Sequence, residues 1–187
     1  MTDGGNADSG PRRGRRRQRG QAMVEFTLVA LPFLIVTLGF IEFGAFNQSK
    51  AVVVNNAHDA ARFAASNPGP ASWTNASSPA AGTIEHIAMR NGGGLSIVND
   101  DTHIVIAYYV PGAGATATKC GHYSKSSNAF VSDATDPSTG LPYVIGACAM
   151  AGNLVSVTLT YRYAPVTPLP AMGTLDIVVT STTVQEV

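Results

Sequence analysis

Four histidines, two cysteines and one carboxylate at the head of an apolar run are the residues here whose chemistry could be put to use. The histidines, His58, His86, His103 and His122, are scattered. None forms the His-x-x-x-His spacing that sets two imidazoles on one helix face around zinc. Cys120-Gly121-His122 is an isolated Cys-x-His, too few ligands for a closed metal site. A Ser/His/Asp grouping can be drawn from any serine-rich chain, but no Gly-x-Ser-x-Gly turn presents a nucleophile. Gly92-Gly93-Gly94 and Gly112-Ala113-Gly114 have the composition of phosphate loops only. Neither leads from a strand into a helix N-terminus with the required lysine. Asn75-Ala76-Ser77 fits the glycosylation sequon without support from its surroundings. No catalytic constellation and no cofactor or metal motif emerges, so the expectation is a protein that is not an enzyme.

Cys120 and Cys148 are an even count in a stretch expected to be exported, where a disulfide is plausible. The alternative is two unpaired small residues. A bridge would close a loop of roughly 30 residues and add on the order of 3 kcal/mol.

The elements that carry these residues follow from charge and periodicity. The 187 residues hold 12 basic and 12 acidic side chains, but Arg12, Arg13, Arg15, Arg16, Arg17 and Arg19 all precede Gly20. Charged residues are only 13% of the chain and hydrophobic ones 45%, which suits an exported or surface protein better than a cytosolic enzyme. A basic tail can bind nucleic acid. This one stops at a hydrophobic segment, which favours a role in membrane topology. No charge occurs from Phe26 to Ile41, ~24 Å of helix against a ~30 Å hydrocarbon core. Adding Ala22 to Val24 and Phe43 to Phe46 completes a span, with Glu25 and Glu42 near its two interfaces. Pro32 and Gly39 are tolerated in such helices. The alternative, a cleaved secretory signal peptide, lacks a small-x-small site at Phe43-Gly44-Ala45-Phe46.

The helix runs on. Phe43, Phe46, Val53, Ala57, Ala60 and Ala64 keep one apolar stripe, with Lys50 as the polar intruder. Asp59 and Arg62 stand three apart, a spacing for an ion pair. Asn67-Pro68-Gly69-Pro70 ends the helix, predicted over residues 22–66. Residues 1–20 read as a basic cytoplasmic leader, 21–46 as the transmembrane half of the helix, 47–66 as its amphipathic half, and 67–187 as an exported α/β head. Within the head, residues 83–91 suit a short helix. Residues 103–110, 155–163 and 175–183 alternate as strands, the last two joined by Pro165, Pro168 and Pro170. Residues 111–152 read as a Gly- and Ser-rich loop. The predicted fold is α+β: a long N-terminal helix packed on a small antiparallel sheet of about three strands.

Glu25 is the one residue that the span itself makes costly. A carboxylate at a membrane edge needs a partner. A cut after Gly20 would leave Gln21 as a charged N-terminus, with Glu25 one helical turn on and on the same face. The carboxylate would then pair with its own α-amine or with a neighbour's.

These residues resemble a family. Gly20, Glu25 five positions later and an apolar helix match the type IV prepilin cleavage signature. The longer pattern is Arg19-Gly20-Gln21-Ala22-Met23-Val24-Glu25-Phe26, then Leu31-Pro32, then Ala60-Ala61-Arg62. It is similar to TadE-like proteins, minor pilins or pseudopilins of the tight-adherence (Tad/Flp) pilus system. The closing strand, Thr167-Pro168 turn and strand are similar as well. The resemblance implies a pilin-like fold and cleavage between Gly20 and Gln21 by a prepilin peptidase, with Glu25 and Phe26 in the processing and assembly motif. It further implies a place in the bacterial inner membrane or the pilus, with the N-terminus cytoplasmic and the head exported. The implied partners are a TadF-like pseudopilin, the Flp major pilin, the secretion ATPase and the platform proteins. The alternative is an uncleaved, single-pass anchored binding or adhesion domain whose ligand surface lies in residues 111–152.

Overall fold

The computed structural model describes residues 14–90, 95–112, 116–166 and 173–186, with side chains from Gly20 onward. Arg12, Arg13, the side chains of Arg15 to Arg19, the glycine run at 92–94, Gly114 and the Thr167-Pro168-Leu169-Pro170 turn lie outside that description. The chain forms two units, Met1–Phe43 and Gly44–Val187.

The first unit is helical wherever it is described, in α1 (Gly14–Ser66), which continues into the second. Its 18-residue core has a mean hydropathy of 2.2 and none of it is buried. Phe26, Leu28, Phe33 and Phe40 all stand more than two thirds exposed. A helix that is apolar all round and uncovered is suited to lipid. Its few hydroxyls are satisfied internally, as a hydrocarbon surrounding demands. Thr27 Oγ1 donates to the Met23 carbonyl and Thr37 Oγ1 to that of Phe33, both at 2.8 Å.

The second unit begins with the rest of α1. Val53, Ala57, Ala60, Ala61 and Ala64 are fully buried and Ala65 nearly so, a stripe of mostly methyl groups that lets the helix lie close to its neighbours. Phe46 joins it edge-on to Tyr163 at 5.4 Å. Phe43 does not: it is exposed. Asp59 and Arg62 form no ion pair. The helix stops as its proline-glycine sequence predicts. Asn67 N–H closes onto Phe63 O at 2.9 Å, and Gly69 takes φ 106°, which any side chain would resist. A short 3-10 turn at Pro70–Ser72 follows, then α2 (Ile84–Ala88), capped by Thr83 Oγ1, which accepts the His86 N–H.

The sheet has five antiparallel strands where about three were expected: β1 (Ile104–Pro111), β2 (Ala117–Ser124), β3 (Ala129–Ser132), β4 (Leu154–Tyr163) and β5 (Leu175–Val184). Their order is β3-β2-β1-β4-β5. The additional strands β2 and β3, with the short α3 (Ile145–Cys148), occupy the stretch read as a loop. Their inward positions hold few large aliphatics, so the alternation is faint. β2 also breaks its own period. Tyr108 stands opposite Gly121 and Tyr109 opposite Lys119, which leaves Cys120 in a bulge. Gly121 is required at that point, because a Cβ there would overlap the Phe130 ring and the Val131 carbonyl. Ile104, Ile106 and Tyr108 from β1 and Val155, Val157 and Leu159 from β4 fill the core, fully buried. Each such aliphatic contributes roughly 2 kcal/mol.

Candidate functional site

Two places concentrate the chemistry: the start of the apolar helix and a polar cluster inside the head. At the first, Gly20 is exposed and a Cβ placed on it would meet nothing within 4 Å. Glycine also lowers helix stability there by roughly 1 kcal/mol, which eases local opening. Gln21 Nε2 donates to Glu25 Oε1 at 3.0 Å, one turn apart. This bond comes from the side-chain amide of Gln21 and spans one turn of the helix. Phe26 lies 74% exposed beside it.

Inside the head, Trp73 stacks on Tyr123 at 4.9 Å and donates from Nε1 to Tyr108 Oη at 3.0 Å. Tyr108 in turn packs on Phe130. Glu85 is wholly buried. Its Oε2 accepts the Thr74 N–H at 3.1 Å, while Oε1 has no partner among the described residues. Lys125 is buried too, with Nζ donating to Ile104 O at 2.5 Å and lying 5.3 Å from the centre of the Tyr123 ring. Burial raises the Glu85 carboxyl above its usual range and lowers the Lys125 ammonium below its own. Burial also pushes the Tyr108 hydroxyl to about 12. Asp101 completes the cluster by accepting the backbone N–H of Lys125 at 2.6 Å and of Ser126 at 3.3 Å. Apart from Glu85 Oε1, the groups bond to one another and to backbone, so the cluster ties the loop at 69–74 and α2 to β1 and β2.

The structure keeps the four histidines apart and gives each a local partner. His58 Nδ1 meets Ser181 Oγ at 2.9 Å, His86 Nδ1 meets Pro79 O at 3.1 Å, His103 meets Asp100 at 2.8 Å, and His122 meets Asp133 at 2.7 Å. Asp133 also receives Lys119 at 2.9 Å. The bulge at Cys120 is what lets residues 119 and 122 share a face. Hydrogen bonds from His122 and Lys119 outweigh burial and hold the Asp133 carboxyl below its usual range. No group of three metal-ligating side chains occurs among the described residues.

Cys120 and Cys148 form a disulfide, with Cα atoms 6.0 Å apart and both residues fully buried. That removes the thiolate on which a Cys-x-His metal site would depend. Asn75 turns its Nδ2 toward Lys125 O at 3.4 Å. Gly112 closes the β1–β2 hairpin through its N–H to Thr116 O.

Sequence reasoning did not single out Glu85, Lys125 or Trp73. Glu85 follows an N-cap threonine as any first-turn carboxylate would, and Lys125 sits among serines like a solvated turn residue. Only the lone tryptophan was a hint.

No curated protein and no solved structure matches this chain. Residues 20–62, which carry both the glycine-to-glutamate motif and the apolar helix, match the family model described as TadE-like protein.

Proposed function

We propose that the protein is a TadE-like pseudopilin that takes part in assembling a Tad/Flp type IV pilus after a prepilin peptidase cuts between Gly20 and Gln21. The observation that carries this reading is the pairing of Gln21 with Glu25 at the head of an uncovered apolar helix, inside the segment that matches the family. Cleavage frees an α-ammonium at Gln21, four residues before Glu25. The pair is then neutralised within one chain or between neighbours, which removes the cost of a lone carboxylate in lipid and fixes the register of adjacent helices. The leader and its arginines stay in the cytoplasm of a bacterium, α1 crosses the inner membrane, and the head with its disulfide stands outside. The partners are the peptidase, a TadF-like pseudopilin, the Flp major pilin and the platform proteins. The protein acts through its surfaces and catalyses nothing itself.

N-terminal sequencing of the mature protein tests this. Gln21 as first residue is expected in cells with active peptidase, and Met1 or Thr2 as first residue would sink the proposal. Because Gly20 has free space around it, Gly20→Ala leaves the fold intact, so retention of the 20-residue leader in that variant reports on the peptidase alone.

A further inference from the structure

The second unit pairs nearly all of its charges. Among the described residues from Gly44 onward, Glu85, Asp100, Asp101, Asp133, Asp136 and Asp176 each accept at least one hydrogen bond. Arg162 meets Asp176, Lys119 meets Asp133, and Lys125 gives its ammonium to Ile104 O. The side chains of Asp59, Arg62, Arg90 and Glu186 have no such partner. All four are exposed, and all four line one cleft of about 520 Å³. Lys50, the other unpaired charged side chain there, does not line it. In the sequence Ala60-Ala61-Arg62, burial accounts for the alanines and leaves the arginine without a task.

Three elements build the cleft, and each is held without a ligand. α1 supplies Asp59 and Arg62. The chain at the end of α2 supplies Ile87 and Arg90, and Asn56 of α1 fixes it by donating from Nδ2 to Ala88 O at 3.2 Å and Arg90 O at 2.9 Å. The end of β5 supplies Thr183 and, just beyond it, Glu186, whose N–H reaches Ala65 O at 3.2 Å. Phe63 and Ile87, packed against the core, give the cleft an apolar part. Its volume is in the range of small-ligand sites.

The charges select the ligand. A simple anion would meet two guanidiniums but stand beside two carboxylates, and a simple cation would face the reverse. A ligand that satisfies all four carries both signs. Arginine forks match a carboxylate, and an ammonium has donors enough for two carboxylates. A single amino acid holds both charges on one carbon and leaves most of the cleft to water, whereas a short peptide separates them.

We propose that this cleft binds a short zwitterionic peptide, with its carboxylate on Arg62 and Arg90, its ammonium on Asp59 and Glu186, and an apolar side chain against Phe63 and Ile87. The test is equilibrium dialysis of the full chain in detergent against radiolabelled Ala-Leu-Ala with both ends free. Saturable binding of one peptide per chain is expected. Acetylating the amine or amidating the carboxylate should each weaken it about tenfold or more. Arg62→Gln/Arg90→Gln should weaken the free peptide and erase the effect of amidation, and Asp59→Asn/Glu186→Gln should erase that of acetylation. The altered side chains are exposed, so thermal melting should not move. Lys50→Gln, which removes a charge outside the cleft, should leave binding unchanged. No saturable binding at millimolar peptide would overturn the proposal. So would equal binding of the blocked peptides, or a loss in Lys50→Gln as large as in the arginine variant.

Discussion

Reduction of the bond between Cys120 and Cys148 lowers the stability of the head by an amount that the loop length sets. The cysteines are 28 residues apart, and closing a loop of that size removes about 12 cal/mol/K from the unfolded chain, or about 3.5 kcal/mol at room temperature. Both residues are fully buried, one in the bulge of β2 and one at the end of α3, so reduction opens no path for water into the native core. The loss therefore falls on the unfolded-state side of the balance. At 2–4 °C per kcal/mol for a protein of this size, the melting temperature is expected to drop by roughly 7–14 °C. Trp73 is the only tryptophan and stacks on Tyr123, three residues along β2 from Cys120, so its fluorescence reports the melting of this region. The assay is a thermal melt of the full chain in detergent with and without reductant, with free thiols counted in each sample. An unchanged midpoint in fully reduced protein would refute the reasoning, since it would mean that the bridge does not constrain the unfolded chain.

Three further outcomes are expected. Tyr108→Phe leaves the Trp73 N–H buried without its acceptor, at a cost of about 1–3 kcal/mol and with a shifted tryptophan emission; unchanged denaturant midpoint and emission would count against the buried bond. Gly121→Ala forces Phe130 and the β3 backbone apart, and urea unfolding should show a loss of about 1–3 kcal/mol. Glu85→Gln tests the buried carboxylate: burial lifts its folded pKa above the usual 4.5, so the folded state holds the proton more tightly, and its contribution to stability is present below pH 4.5 and declines as pH rises through the folded value. The variant keeps an acceptor for Thr74, and its urea midpoint should fall less than that of the unaltered protein as pH is raised from 4.5; parallel curves would show that Glu85 does not titrate there.

The parts of the fold that were legible in the sequence are those with strong periods. The stripe through Val53, Ala57, Ala60 and Ala64 and the alternation in β1 and β4 each bury what their spacing selects. The stop at Asn67-Pro68-Gly69-Pro70 was legible because glycine and proline admit few alternatives. β2 and β3 were not. A bulge shifts their parity at Cys120, and their inward places are taken by Gly121, Tyr123 and Phe130 among threonine, lysine and serine. At the head of the apolar helix the sequence placed Gln21 and Glu25 on one face, because four residues on a helix fix that relation without help from the rest of the chain, but it did not indicate the bond from the Gln21 side-chain amide. The interior cluster was not, because Glu85 and Lys125 lie 40 positions apart and only the closing of α2 onto the sheet buries them together.

The two threonines of the apolar helix have a further consequence. Since Thr27 and Thr37 both fold their hydroxyls back onto the preceding turn, the surface that α1 offers along its apolar length asks nothing of its surroundings. Lipid chains and the apolar flank of another helix are then nearly interchangeable as neighbours, and passing from one to the other breaks no hydrogen bond. Exchange is thus cheap along that apolar length, and only the Gln21–Glu25 end carries polar side chains that a neighbour would have to meet.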